Sequence, residues 1–143
     1  APRATVWSTL ADLGGVADYN PNLARSSWLS AAREGIGAAR QCVLPDHSTI
    51  DERVVAWDDG RGYTLAVTDG APTIVRRMEV RFELEEIGPQ STRVTQTMDV
   101  ALALAPLTAP LGWLMRPALR SAITANLQGL AEAVEGHALA AVG

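Results

Sequence analysis

Over the second half of the chain, apolar and polar residues alternate with a period of two. Met78, Val80, Phe82 and Leu84 share one face, while Arg77, Glu79, Arg81 and Glu83 share the other. That is the pattern of a strand with one wet side. Tyr63, Leu65 and Val67 keep the apolar face before this segment, and Val94, Gln96, Met98, Val100 and Leu102 keep it afterwards. The pattern predicts strands over residues 23–31, 39–44, 49–57, 63–68, 75–87 and 92–104. Turn material such as Asp58-Asp59-Gly60-Arg61-Gly62 and Gly88-Pro89-Gln90-Ser91 separates them. Connections this short favour antiparallel hairpins over crossover units.

Helical spacing marks the two ends. Val6, Trp7, Leu10 and Leu13 predict a helix over 2–13, with Pro2 in its first turn and Gly14-Gly15 as its stop. A short helical turn over 16–20 is ended by Pro21. Leu119, Ile123, Leu127, Leu130 and Val134 form the apolar stripe of a closing helix over 109–135. Pro117 is expected to kink that helix or to mark its true start. A sheet with one apolar face needs a partner layer, and the last helix is the only long amphipathic element available. The expected fold class is therefore α+β. It is a curved antiparallel β-sheet wrapped around a long C-terminal α-helix, with a mostly apolar internal cavity where bent sheet and straight helix do not meet.

Composition narrows the function classes. The 143 residues are read as one domain, 1–143, with no repeat or linker to divide. A net charge of −4 leaves no electrostatic reason to bind nucleic acid or an anionic membrane. All twelve cations are Arg, which reads as codon bias. Cys42 has no internal partner and reads as a buried structural thiol. The first residues lack the apolar core of a signal peptide, and Pro106, Pro110 and Gly112 interrupt the longest apolar stretch, so no membrane span is expected. The expected location is cytoplasmic.

The run from Ala1 to Asp12 resembles the helix opening of the START/Bet v 1-like (SRPBCC) superfamily, and within it the bacterial polyketide cyclase/dehydrase branch. Pro21 fits that branch, as do Glu52-Arg53-Val54-Val55-Ala56-Trp57-Asp58-Asp59 and Asn126-Leu127-Gln128-Gly129-Leu130-Ala131. The last of these also resembles the plant abscisic acid receptors. The resemblance covers the whole chain and implies the helix-grip fold and an apolar ligand. The superfamily opens with a strand before the first helix, whereas this chain opens at the helix. The first strand is thus expected to be absent, leaving an unpaired edge. Similarity to the plant receptors implies a pocket entrance at the loops 45–48 and 69–73, although Ala71-Pro72-Thr73 stands where a latch histidine is expected.

Glu52 is the candidate for chemistry. It alternates with Ile50, Val54 and Ala56, and a carboxylate on that face is costly unless paired or solvated inside a cavity. Either it faces the pocket, as the resemblance implies, or its head reaches solvent at a sheet edge. Arg25 alternates with Leu23, Ser27 and Leu29. Either that face points inward and Arg25 answers Glu52 or a ligand acid, or Arg25 is solvated and Trp28 turns in. Gln96 and Asn126 are neutral polar groups on apolar faces, suited to a ligand hydroxyl or carbonyl or, alternatively, to backbone or water. The remaining walls are assigned to Leu44, Tyr63, Leu65, Val67, Met78, Val80, Phe82, Met98, Leu119, Ile123 and Leu127. His47 and His137 stand apart, and no metal-ligand spacing, phosphate loop or nucleophile–base pair is present. No cofactor is expected.

These readings favour a binding module for an apolar small molecule such as a lipid or polyketide. The alternative is a polyketide cyclase/dehydratase with Glu52 as acid or base. A monomer or homodimer suits both.

Overall fold

The computed structural model describes the backbone of residues 1–142 and the side chains of residues 1–135. The His137 side chain lies outside the described residues. Six strands form one antiparallel sheet in sequence order: β1 (Arg25–Trp28), β2 (Ala39–Val43), β3 (Thr49–Asp58), β4 (Gly62–Asp69), β5 (Val75–Gly88) and β6 (Ser91–Leu102). Helix α1 (Arg3–Leu10) and a 3₁₀ turn (Leu13–Asp18) precede the sheet, and α2 (Ala109–Val142) follows it. This is the helix-grip arrangement, with β1 and β6 as the sheet edges.

The alternation on β5 holds. Val80, Phe82 and Leu84 are buried, whereas Arg81, Glu83 and Glu85 are exposed. On the wet face Arg81 reaches Glu83 at 3.8 Å and Arg93 reaches Glu85 at 2.9 Å. Exposed pairs of this kind contribute little. The alternation on β3 does not hold throughout. Register shifts lie between Asp51 and Glu52 and between Val54 and Ala56. Past the second shift Ala56 is exposed and Trp57 is half-buried, contrary to the expected inward Ala56. An extra residue in one strand reverses the faces beyond it and sharpens the local bend, which a sheet curling around a helix requires.

Three other boundaries differ from expectation. Helix α1 ends at Leu10, and Gly14-Gly15 sits inside the 3₁₀ turn. A Cβ on Gly14 would overlap the Trp28 indole, so the glycine is there for packing. Strand β1 is shorter than its apolar run, and its two ends are held by Ala24 N–H donating to Val43 and Leu29 N–H to Ala39. Helix α2 runs through Pro117 rather than starting there. The residues around it, Trp113, Leu114 and Arg116, are exposed, so water can serve the carbonyl that proline leaves without a donor.

The core sits where α1, the 3₁₀ turn and the later part of α2 meet the sheet. Leu10, Leu13, Val16, Val54, Leu65 and Leu130 are fully buried there. Gly129 lets α2 lie directly on the Tyr19 carbonyl, a contact that any Cβ would overlap. One end of the grip is filled by rings. Trp57 stacks on Tyr63 at 5.7 Å, Trp7 meets Trp57 edge-on at 5.1 Å, and Tyr63 meets Phe82 at 5.3 Å.

Candidate functional site

Beside this core the sheet and α2 part to leave a cavity of about 210 Å³. Its apolar wall comes from the inner faces of the strands, with Leu44, Ile50, Val67, Met78, Val80, Phe82 and Met98, and from Ile123 and Ala122 on α2. Val16 and Leu23 close it from the segment ahead of β1. Polar groups are few and gathered at two places.

The first place is the β2–β3 pair. Arg40 and Glu52 lie directly opposite each other in the register. Arg40 Nε donates to Glu52 Oε1 at 3.0 Å, and both side chains are nearly sealed, 6% and 10% exposed. A second nitrogen of Arg40 donates to the Leu13 carbonyl at 3.4 Å, and Cys42 Sγ donates to the same Glu52 oxygen at 3.5 Å. Burial works to lower the Arg40 pKa, but Glu52 overrides it and holds the guanidinium above its ordinary value. Burial pushes the Cys42 thiol up to about 12, against the pull of Arg40, which makes it an inert thiol. Burial likewise pushes Tyr19 up to about 12, again with Arg40 opposing, and it holds Tyr63 well above its usual range.

The second place lies between β6 and α2. Asn126 Nδ2 donates to Gln96 Oε1 at 2.8 Å. Asn126 is only 3% exposed, and its Oδ1 is buried with no hydrogen-bond partner. Nearby, Asn22 Nδ2 donates to the Ala122 carbonyl at 2.8 Å, and Asn22 N–H donates to Asn20 Oδ1, tying the pre-β1 segment to the helix.

The structure therefore brings Leu44, Glu52, Val67, Met78, Val80, Phe82, Gln96, Met98, Ile123 and Asn126 together around one space. Five other expected wall residues lie elsewhere. Arg25 is exposed on the outer face. The reason is Ser26, whose Oγ donates to the Gly14 carbonyl and accepts from Ala17 N–H, fixing Ser26 inward and its neighbours outward. The inward cation is Arg40 instead. Tyr63 is held in the ring cluster, with its hydroxyl donating to the Leu10 carbonyl at 2.9 Å. Leu65 is fully buried core. Leu119 lies one turn before Ile123, in a groove beside Trp113 and Arg116, and Leu127 packs near Ala1, Val6 and Val94. The loops 45–48 and 69–73 do not line the cavity; only the strand ends beside them do.

Among the described residues no group of His, Cys, Asp or Glu can hold a metal ion, and no helix is long and apolar enough to cross a membrane.

A family model described as polyketide cyclase / dehydrase and lipid transport matches residues 1–135. The chain belongs to that family. Similar solved structures agree with the family's fold. The Zhui aromatase/cyclase from Streptomyces sp. R1128 superposes with a TM-score of 0.77 at 21% identity, covering 94% of this chain and 87% of that one. A protein of Thermus thermophilus has a TM-score of 0.74 at 23% identity over 96% and 92%. Ara h 8.0201 has a TM-score of 0.66 at 14% identity over 92% and 91%. No curated protein matches the chain.

Proposed function

We propose that this family member binds an apolar small molecule, a lipid, polyketide or similar metabolite, in the cavity between the sheet and α2. One observation carries the reading: a mostly apolar space of about 210 Å³ between the sheet and α2, with the buried amide of Asn126 in its wall. Apolar walls that face such a space forgo the van der Waals contacts a packed neighbour would supply. An occupant restores those contacts. The test is titration with a neutral apolar fluorophore small enough for the space, naphthalene. Saturable binding at micromolar protein supports the reading, and its absence with folded protein opposes it.

A second reading is supported by Glu52. It is the carboxylate in the cavity lining, and the chain resembles an aromatase/cyclase in fold. In a cyclase or dehydratase, Glu52 would move a proton next to a substrate carbonyl. Arg40 and Cys42 both hold one oxygen of Glu52, a geometry that suits a fixed structural pair better than a group free to swing toward substrate. We therefore favour binding. Glu52→Gln separates the two: a cyclase loses roughly 10²–10⁴ in rate on a poly-β-ketone substrate, and a binder has no turnover to lose.

A further inference from the structure

We propose that the cavity selects a compact, uncharged ligand bearing a hydroxyl, a phenol or alcohol of about one ring, and rejects carboxylates. This deepens the binding reading above by narrowing its ligand to a metabolite of about one ring, and it rests on that reading.

Charge comes first. The lining contains one cation and one anion, Arg40 and Glu52, and they are spent on each other at 3.0 Å. Arg25, which would have answered a ligand acid, is exposed on the opposite face of the sheet. An anionic ligand would enter with no free cation to meet it, beside the carboxylate of Glu52. Burying an unpaired charge is costly enough that such a ligand is excluded.

The polar groups then specify what is accepted. Asn126 Oδ1 is a buried acceptor in the lining without a donor. Its own amide nitrogen is turned to Gln96 Oε1. Glu52 Oε1 takes the bonds of both Arg40 and Cys42. The unmet demand at the β6–α2 side is for a donor. A ligand hydroxyl would supply one once the Asn126 amide turns its oxygen toward the cavity. An ether or ester of the same shape supplies none, leaving the acceptor buried and unpaired.

Size completes the argument. A dry cavity of roughly 150 Å³ accommodates benzene. The 210 Å³ here holds one ring with a short substituent. A long acyl chain or a multi-ring polyketide would leave much of itself outside.

The test compares 4-ethylphenol, 4-ethylanisole and 4-ethylbenzoate on the full chain by titration calorimetry, with the fluorophore as a control for an open cavity. The phenol is expected to bind about tenfold tighter than its methyl ether, and the benzoate is expected not to bind. In Asn126→Leu the phenol's advantage over the ether should vanish. Equal affinity of phenol and ether, or preference for the benzoate, in the wild-type protein overturns the inference while leaving the cavity reading intact. So does fluorophore binding with none of the three ligands bound. Failure of the fluorophore and all three ligands together sinks the cavity reading itself. The wild-type comparison needs no variant, so it decides the matter even where Asn126→Leu does not fold.

Discussion

Replacing Arg40 with Met leaves Glu52 buried with its main partner gone. The pair is closed at 3.0 Å with side chains 6% and 10% exposed, so water does little to screen either charge. The same substitution removes the donor to the Leu13 carbonyl. Breaking one side of a buried pair costs about 3–5 kcal/mol. For a chain of this size that corresponds to a fall in Tm of roughly 6–20 °C. The double variant Arg40→Met with Glu52→Leu removes the uncompensated charge, so it should recover most of the loss or even exceed the wild type. Urea unfolding followed by circular dichroism, with thermal melts alongside, measures the wild type, both single variants and the double variant. A single-variant cost below about 1 kcal/mol, or a double variant as unstable as the sum of its parts, would refute the assignment of this pair as a sealed, mutually dependent unit.

The two tyrosines, Tyr19 and Tyr63, are both buried, so phenolate absorbance near 295 nm should not appear around pH 10. Because the Tyr19 pKa is raised from 10.0 to about 12, its contribution is complete below the unfolded value and drains away as pH rises through the folded one. Tyr19 alone should take roughly 3 kcal/mol from stability between pH 10 and 12, with the raised Tyr63 and Cys42 adding losses of the same sign, and a normal phenolate titration with unchanged stability would count against the buried placement. Cys42, raised to about 12, should resist thiol reagents at pH 8 until the chain is unfolded by urea; rapid labelling of the native protein contradicts this. Gly129→Ala should cost at least about 2 kcal/mol, because its Cβ overlaps the Tyr19 carbonyl where α2 meets the 3₁₀ turn, and a stabilisation of about 1 kcal/mol, alanine's helix-propensity advantage, would show that the two backbones do not touch.

Much of the fold was legible because period-two alternation on β5 and β6 leaves only one face to bury. What escaped the sequence were the places where a single residue breaks that period. The extra residue after Val54 turned Ala56 outward, and nothing in the string Val54-Val55-Ala56-Trp57 shows where a bulge falls. The inward cation was left open between two readings of β1 for a different reason. Arg25 and Trp28 compete for the inner face of β1, and the arbiter is Ser26 bonding to a turn twelve residues earlier in the chain. A signal for Arg40 did exist: it shares parity with Cys42 and Leu44, both read as apolar-face residues, but an arginine there looks like an exposed edge until Glu52 is seen opposite. Glu52, Gln96 and Asn126 were legible as polar residues on apolar faces. Tyr63 and Leu65 lie on the correct face but at the filled end of the grip, which alternation alone does not distinguish from the open part. The contributions of Val16, Asn20 and Leu23 to the cavity depend on how the 3₁₀ turn folds over the sheet, which no local pattern encodes.

The central claim is that the space between sheet and α2 is the binding site, and filling that space tests it most directly. Ile123 lines the cavity from the helix and Val67 lines it from β4. Fluorophore titration of Ile123→Trp, with Val67→Phe as a second route into the same space, should show affinity reduced by at least about tenfold, while circular dichroism and melting confirm a folded chain. Undiminished binding by both folded variants would place the ligand elsewhere and contradict the account.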